Sequence, residues 1–202
     1  MNKKIFTLLI ILIASFSLSA RSRWMTGTYE MSFAAPRLHD FLDKPSFQGF
    51  GFNFYEGISD YFMVGGRFSW NNFFQKFERD SYSFLADGQG TTITAVQYKR
   101  VSSMAFMAEA TFVARNSSIL LPYLSVGIGP SWDSKEHVVG IWSTYYGTVH
   151  FIVRPEIGLI IPFNSVGVKI AGGYNGIVNN SDTGVDDIDN FTVGIGVAFG
   201  SF

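Results

Sequence analysis

The stretch Phe191-Thr192-Val193-Gly194-Ile195-Gly196-Val197-Ala198-Phe199-Gly200-Ser201-Phe202 decides the fold. Phe191, Val193, Ile195, Val197 and Phe199 share one parity, and Thr192, Gly194, Gly196, Ala198 and Gly200 share the other. A period of two sends successive side chains to opposite faces of a strand. One face is therefore wholly apolar and the other unusually small. An apolar face of that kind belongs against a core or against lipid, not against water.

The same alternation recurs along the chain. From Trp24 to Phe33, Met25, Gly27, Tyr29, Met31 and Phe33 stand against Thr26, Thr28, Glu30 and Ser32. Phe50, Phe52 and Phe54 alternate with Gly49, Gly51, Asn53 and Tyr55. A turn at Gly57-Ile58-Ser59-Asp60 leads into Phe62, Val64, Gly66, Phe68 and Trp70, set against Met63, Gly65, Arg67 and Ser69. Residues 72 to 102 break the rhythm, mixing aromatics with charges before Asp87-Gly88-Gln89-Gly90 and a Thr-rich piece. They read as a long excursion whose flanks extend the neighbouring strands. Regularity returns at Met104, Phe106, Ala108, Ala110 and Phe112, turns near Asn116-Ser117-Ser118, and resumes at Leu124, Val126, Ile128, Pro130 and Trp132. Asp133 to Gly147 reads as a polar and aromatic loop. Phe151, Val153, Pro155, Ile157, Leu159 and Ile161 follow. Pro162-Phe163-Asn164-Ser165 then turns into Val166, Val168, Ile170, Gly172 and Tyr174, and an acidic loop, Val178 to Asn190, enters the terminal strand.

Eight strands result, joined by connections that alternate long with short. That is the pattern of an all-β, eight-stranded antiparallel up-and-down transmembrane β-barrel, with long loops outside and tight turns in the periplasm. Alternating segments of about 9–11 residues match a spanning strand, and closure leaves no unpaired edge in lipid. Trp70 and Trp132 are expected at the outer interface, and Trp24, Tyr61 and Tyr123 at the inner one. Pro155 is expected to cost a ladder hydrogen bond unless a bulge takes it up. A soluble barrel of the lipocalin type would carry the same alternation turned inside out. Its outer face would then be Gly, Ser, Thr and Ala with few charges, so the composition disfavours it.

Composition and the N-terminus agree. Charged residues are 15% of the 202, below the roughly 25% usual in soluble domains, while Phe alone contributes 21. The absence of cysteine excludes both a disulfide framework and a lipoprotein acylation site. Lys3 and Lys4, the apolar run Ile5 to Ala14, and the small residues of Ser17-Leu18-Ser19-Ala20 read as a signal peptide over residues 1–20. The apolar run is short for a helical span of about 20 residues. Cleavage after Ser19 or after Ala20 leaves 13 basic against 16 acidic residues, a balance that offers nothing to nucleic acid.

The terminal strand ending on Phe202 resembles the closing strand of bacterial outer-membrane barrels, and the piece Pro122 to Gly129 (PYLSVGIG) resembles a recurrent strand of the small OmpA-, OmpX- and OmpW-like kind. The resemblance covers roughly residues 22 to 202. It departs at one point: the closing aromatic usually shares the apolar parity, whereas Phe202 is one step out of phase with Phe199. It implies a barrel domain over residues 21–202 in the outer membrane of a Gram-negative bacterium, surrounded by lipid and lipopolysaccharide. It also implies that the barrel-insertion machinery reads Phe202.

Several constellations bear on chemistry. Glu30, Arg67, Glu109, Arg154, Glu156 and Lys169 all take the inward parity, three acids and three bases facing one lumen. An eight-stranded barrel is just wide enough for side chains, so these charges are expected to form a neutral network that fills the interior rather than an ion path. Inward glycines would leave room for the long side chains. Arg154 and Glu156, two apart, should both point inward and find partners among the other four. The lipid A deacylase pattern, a His followed two residues on by Ser, is absent at His39, His137 and His150. A palmitoyltransferase-like site would need only a His, an Asp and a Ser that meet in space. Asp182, Asp186, Asp187 and Asp189 match no calcium loop and read as a solvated tip. Gly194, Gly196 and Gly200 precede no helix, which excludes a nucleotide-binding reading. No cofactor, no metal and no catalytic residue is expected. Fold likeness by itself names no activity. The sequence therefore points to a non-enzymatic barrel with a structural or surface-interaction role through its outer loops, or alternatively to an OmpW-like conduit for small hydrophobic molecules.

Overall fold

A computed structural model describes residues 22–39, 41–86, 89–115, 119–178 and 188–200. Eight antiparallel strands close into a barrel in sequence order: β1 (Arg23–Ala34), β2 (Gly49–Gly57), β3 (Phe62–Ala86), β4 (Gln89–Val113), β5 (Leu121–Val139), β6 (Trp142–Phe163), β7 (Val166–Ile177) and β8 (Asn190–Gly200). A single helical turn, α1 (Pro36–His39), lies between β1 and β2. Closure is made by β1 and β8, paired from Trp24↔Gly200 to Ala34↔Asn190. The terminal stretch that reveals the period is thus the seam of the barrel. Residues 1–20 and Phe202 lie outside the described residues.

The apolar parity faces outward on every strand. Met25, Tyr29, Phe50, Phe52, Phe106, Phe112, Val126, Ile128, Ile157, Ile195 and Phe199 are all exposed on the outer surface. Water would not tolerate a continuous apolar belt of this size, and hydrocarbon would. The lipocalin-like inversion is excluded by the same observation, since Glu30, Arg67, Arg154 and Lys169 are the buried side chains.

The two ends of the barrel differ. At one end the connections are short, such as the two-residue turn Asn164-Ser165, where Asn164 adopts φ 60°. That left-handed value is one Asn tolerates better than most residues. At the other end β3 and β4 continue for 25 residues each, and β5 and β6 for 19 and 22, against 9 to 12 for the remaining strands. Over residues 72–86 and 89–102 the excursion is therefore a pair of antiparallel strands, with a register shift between Phe77 and Asp80. The loop expected over Asp133 to Gly147 is a correction. β5 and β6 stay paired from Asp133↔Thr148 to Val139↔Trp142 and turn only at Gly140-Ile141. Backbone pairing needs no alternation of side-chain polarity, so the ladder runs on where the pattern stops.

Of the four strand prolines, Pro155 and Pro130 sit where a ladder is interrupted, whereas Pro122 and Pro162 keep their places in a continuous register. Pairing of β6 with β7 lapses between Val153↔Gly176 and Glu156↔Gly173, around Pro155. Pairing of β4 with β5 lapses between Ala105↔Ser131 and Ala108↔Ile128, beside Pro130. The register is unchanged across each gap, so the missing donor costs ladder bonds without a bulge.

Candidate functional site

The interior is layered along the barrel axis. At the short-turn end, Trp24, Tyr55, Met63, Val113, Leu121, Tyr123, Ile160, Ala171 and Ala198 pack into one apolar cluster. This corrects the expected inner girdle: Trp24 and Tyr123 are buried inside, at 1% and 5% exposure, while Tyr61 stays on the surface and stacks on Phe112. The parity of Trp24 with Thr26 and of Tyr123 with Ser125 already put both rings inside. At the long-arm end, Leu38, Leu42, Phe73, Val101 and Ile188 form a second apolar cluster, with Ala34, Phe41 and Ile177 against it. A third group, Ala105, Met107 and Ile152, is buried with Ile177 against it.

Elsewhere in the interior lie the six predicted charged residues, each between 1% and 4% exposed. Glu156 on β6 is the hub. Its Oε2 is 2.7 Å from Arg67 Nη1 and 3.1 Å from Arg154 Nη2, and its Oε1 is 2.9 Å from Lys169 Nζ. Tyr123 also donates its hydroxyl to Oε1 at 2.7 Å. Glu30 on β1 pairs with Arg67 and, at 3.1 Å, with Arg154. Two-residue spacing on one strand puts Arg154 and Glu156 on the same face.

Glu109 stands apart. It accepts from Asn53 Nδ2 at 2.7 Å, and among the described residues no base lies within ion-pair distance of it. Sequence reasoning passed over the neutral members of the network. Asn53 also donates to the Tyr55 hydroxyl at 2.8 Å. Arg154 donates to Asn175 Oδ1 and to Thr192 Oγ1, both at 2.9 Å. Their signal was the same inward parity that marked the charges. Two glycines adjoin the network. A Cβ at Gly51 would stand 2.7 Å from Glu30 Oε1 and 3.1 Å from Arg67 Nη2, and one at Gly173 would stand 3.3 Å from Arg154 Nη2.

A His, an Asp and serines do meet in space. His150 Nδ1 lies 3.1 Å from Asp133 Oδ2, Ser131 donates to Asp133 Oδ1 at 2.8 Å, and Ser103 Oγ lies 3.0 Å from Ser131 Oγ. The serine hydroxyl is committed to the carboxylate rather than to the imidazole, and His150 Nε2 has no hydrogen-bond partner among the described residues. The base-to-nucleophile contact that activates a serine is therefore not made. His39 ends α1, and His137 lies on β5, not in a loop. Asp182, Asp186 and Asp187 fall outside the described residues. Asp189 accepts from the Ile177 amide and the Tyr174 hydroxyl.

Above the barrel, the β1–β2 connection folds back over the inner face of the extended strands as a strap. Ser46 exchanges two backbone hydrogen bonds with Ser32 at 2.8 Å, and Asp43 bonds to Gln75. The Phe41 ring lies 4.7 Å from Lys99 Nζ, 5.6 Å from Lys135 Nζ and edge-on to His137. Burial, and after it the Lys99 ammonium, holds the His137 imidazole below its ordinary value. Burial likewise lowers Lys99, against the opposing pull of Asp43.

No family model matches the chain, and no curated protein matches it. Solved structures do. Ail, the attachment invasion locus protein of Yersinia pestis, determined in complex with the heparin analogue sucrose octasulfate, superposes with a TM-score of 0.52 at 14% identity, covering 89% of this chain and 96% of that one. Neisserial surface protein A gives 0.55 at 12% identity, over 90% and 96%. The N-terminal β-barrel domain of Pseudomonas aeruginosa OprF gives 0.53 at 11%, over 90% and 98%. At such identities the likeness is one of fold. The fold is that of the small outer-membrane barrels of Gram-negative bacteria: all-β, eight-stranded, antiparallel and up-and-down.

Proposed function

We propose that this chain is a non-enzymatic integral outer-membrane protein whose interior is closed to solutes and whose role, structural or in surface attachment, is carried by the long-arm end. In this reading residues 1–20 direct export, Phe202 is the mark read by the insertion machinery, and the long arms project from the cell. The reading rests above all on the stacking inside the barrel: charged side chains in mutual contact within an interior that also holds two packed apolar clusters. An ion path would need hydrated, separated charges instead. An OmpW-like conduit would need an open apolar funnel beneath the outer loops. Leu38, Leu42, Phe73, Val101 and Ile188 are packed together there, and each is buried.

Surface attachment is supported by the shape of the outer end, a four-stranded wall raised above the barrel by β3 to β6. Ail, of the same fold, is by its own description an attachment protein. The test is planar-bilayer recording of the refolded wild-type protein. A closed interior gives no stable single-channel steps, whereas steady, voltage-independent openings would replace this reading with the conduit.

A further inference from the structure

The outward face of β3 to β6, just above the apolar belt, has an order that the barrel itself does not need. Four cross-strand rows can be followed upward. Trp70↔Met104↔Trp132↔Val149 is bulky and apolar, and Asn72↔Ser102↔Ser134↔Gly147 is small and polar. Phe74↔Arg100↔Glu136↔Tyr145 is aromatic and charged, and Lys76↔Tyr98↔Val138↔Ser143 follows. Rows two residues apart are separated by about 7 Å along a strand. The small row between two bulky ones leaves a trough. Its hollow, of about 440 Å³, is lined by Trp70, Met104, Trp132, Tyr145 and Val149 with the hydroxyl side chains of Ser102 and Ser134. A second hollow of about 290 Å³ lies directly above, lined by Phe74, Tyr98, Arg100, Glu136 and Val138.

The geometry points to a binding site for the phosphorylated sugar headgroup of an outer-leaflet glycolipid, with its acyl chains on the Trp70–Trp132 row. The inference rests on the outer-membrane reading and on the orientation that places the long arms outside. Three features select this occupant. The Trp row marks the level where hydrocarbon gives way to headgroups. Hydroxyls and aromatic faces side by side fit a sugar ring, which offers both polar edges and C–H faces. The cations stand above that ring position: Arg100 lies over the Phe74 ring at 5.6 Å, and Lys76 over the Tyr98 ring at 5.7 Å. Each stands at the height a phosphate would take. Arg100 is held there by a loose contact to Glu136, 3.5 Å from Nη1 to Oε2, with both side chains partly in solvent. A phosphate would displace that single loose carboxylate contact and engage the guanidinium with two oxygens.

The experiment is native mass spectrometry of the refolded full-length barrel titrated with bisphosphorylated lipid A, with dephosphorylated lipid A and with phosphatidylglycerol. Heat-modified gel migration first verifies that each variant is a barrel. Arg100→Ala combined with Lys76→Ala should weaken lipid A retention about fivefold, while Glu136→Gln, which removes the competing carboxylate, should strengthen it. Dephosphorylated lipid A should bind the wild type and the double variant alike. Equal lipid A titrations for all three proteins, or losses for phosphatidylglycerol as large as for lipid A, would overturn the site while leaving the barrel reading intact. Lipid-free protein dimers in the same spectra, lost in the double variant, would assign the face to a second copy and also overturn it. A chain that never acquires heat-modified migration would overturn both.

Discussion

Two ion pairs of this molecule, one inside the barrel and one on the wall above it, use the same chemistry in opposite surroundings. Arg67 and Glu156 meet at 2.7 Å with side chains 1% and 0% exposed. Arg100 and Glu136 meet at 3.5 Å with 53% and 36% exposed. In water the partners of a broken pair are simply resolvated. Inside the barrel the survivor keeps its charge and has nowhere to put it, so removing one partner costs far more than the pair itself contributes. The interior behaves as a unit that must stay neutral, and the wall as a set of nearly independent contacts.

Variants can break or sharpen that contrast. The largest effect is expected at the hub. Glu156→Gln leaves Arg67, Arg154 and Lys169 short of a carboxylate and should cost about 3–5 kcal/mol, read as a fall in the urea midpoint of the refolded barrel. Glu109→Gln should cost less, about 1–3 kcal/mol, because its contact is a hydrogen bond from Asn53 that the amide oxygen can still accept. Equal losses at the two positions would mean that the hub has no special standing.

The strap should respond to pH. Its Phe41 sits among His137, Lys99 and Lys135, and Asp43 is the acid of the strap among the described residues. Because the folded imidazole titrates below its unfolded value of about 6.5, the unfolded form binds the proton more readily. Stability contributed by neutral His137 is therefore full above that value and is lost as pH falls through the folded one. Amide protection over residues 41–48, taken relative to the intrinsic exchange rate at each pH, should fall between neutral pH and mild acid. His137→Gln should flatten the dependence, and an unchanged slope in that variant would remove His137 as its source. The smallest effect belongs to the wall. Arg100→Ala should lower stability by about 0.2–1 kcal/mol at most, read from the urea midpoint, and a loss on the scale of Glu156→Gln would erase the contrast.

The barrel was legible from sequence wherever two unlike media flank a strand. Lipid on one side and a packed polar lumen on the other force Phe50, Phe52 and Phe54 outward and Gly51 and Asn53 inward, and the period reports both. That same parity placed all six lumen charges. It stopped being informative at Asp133, above the belt, where both faces of β5 and β6 meet water or neighbouring chain. Hence Asp133 to Gly147 reads as loop although its backbone remains paired. Trp24 and Tyr123 were misjudged for a different reason. Aromatics near strand ends suggest an interfacial girdle, yet their parity was the stronger signal, and burial followed parity. The partner pattern inside was not legible at all. Which base meets which acid depends on strand register and on side-chain reach across the lumen, as with Arg67 on β3 crossing to Glu156 on β6.

The central claim is that the lumen charges joined through Glu156 and Glu30 form one mutually dependent set, and a double-mutant cycle on Arg154 and Glu30 tests it most directly. Each single change, Arg154→Met or Glu30→Gln, unbalances the set by one charge, while the double change restores neutrality among Arg67, Glu109, Glu156 and Lys169. Urea midpoints should then show the double variant less damaged than the sum of the singles, with a coupling of about 0.5–3 kcal/mol. Strictly additive losses would contradict the account, since charges that do not feel one another are charges standing in water.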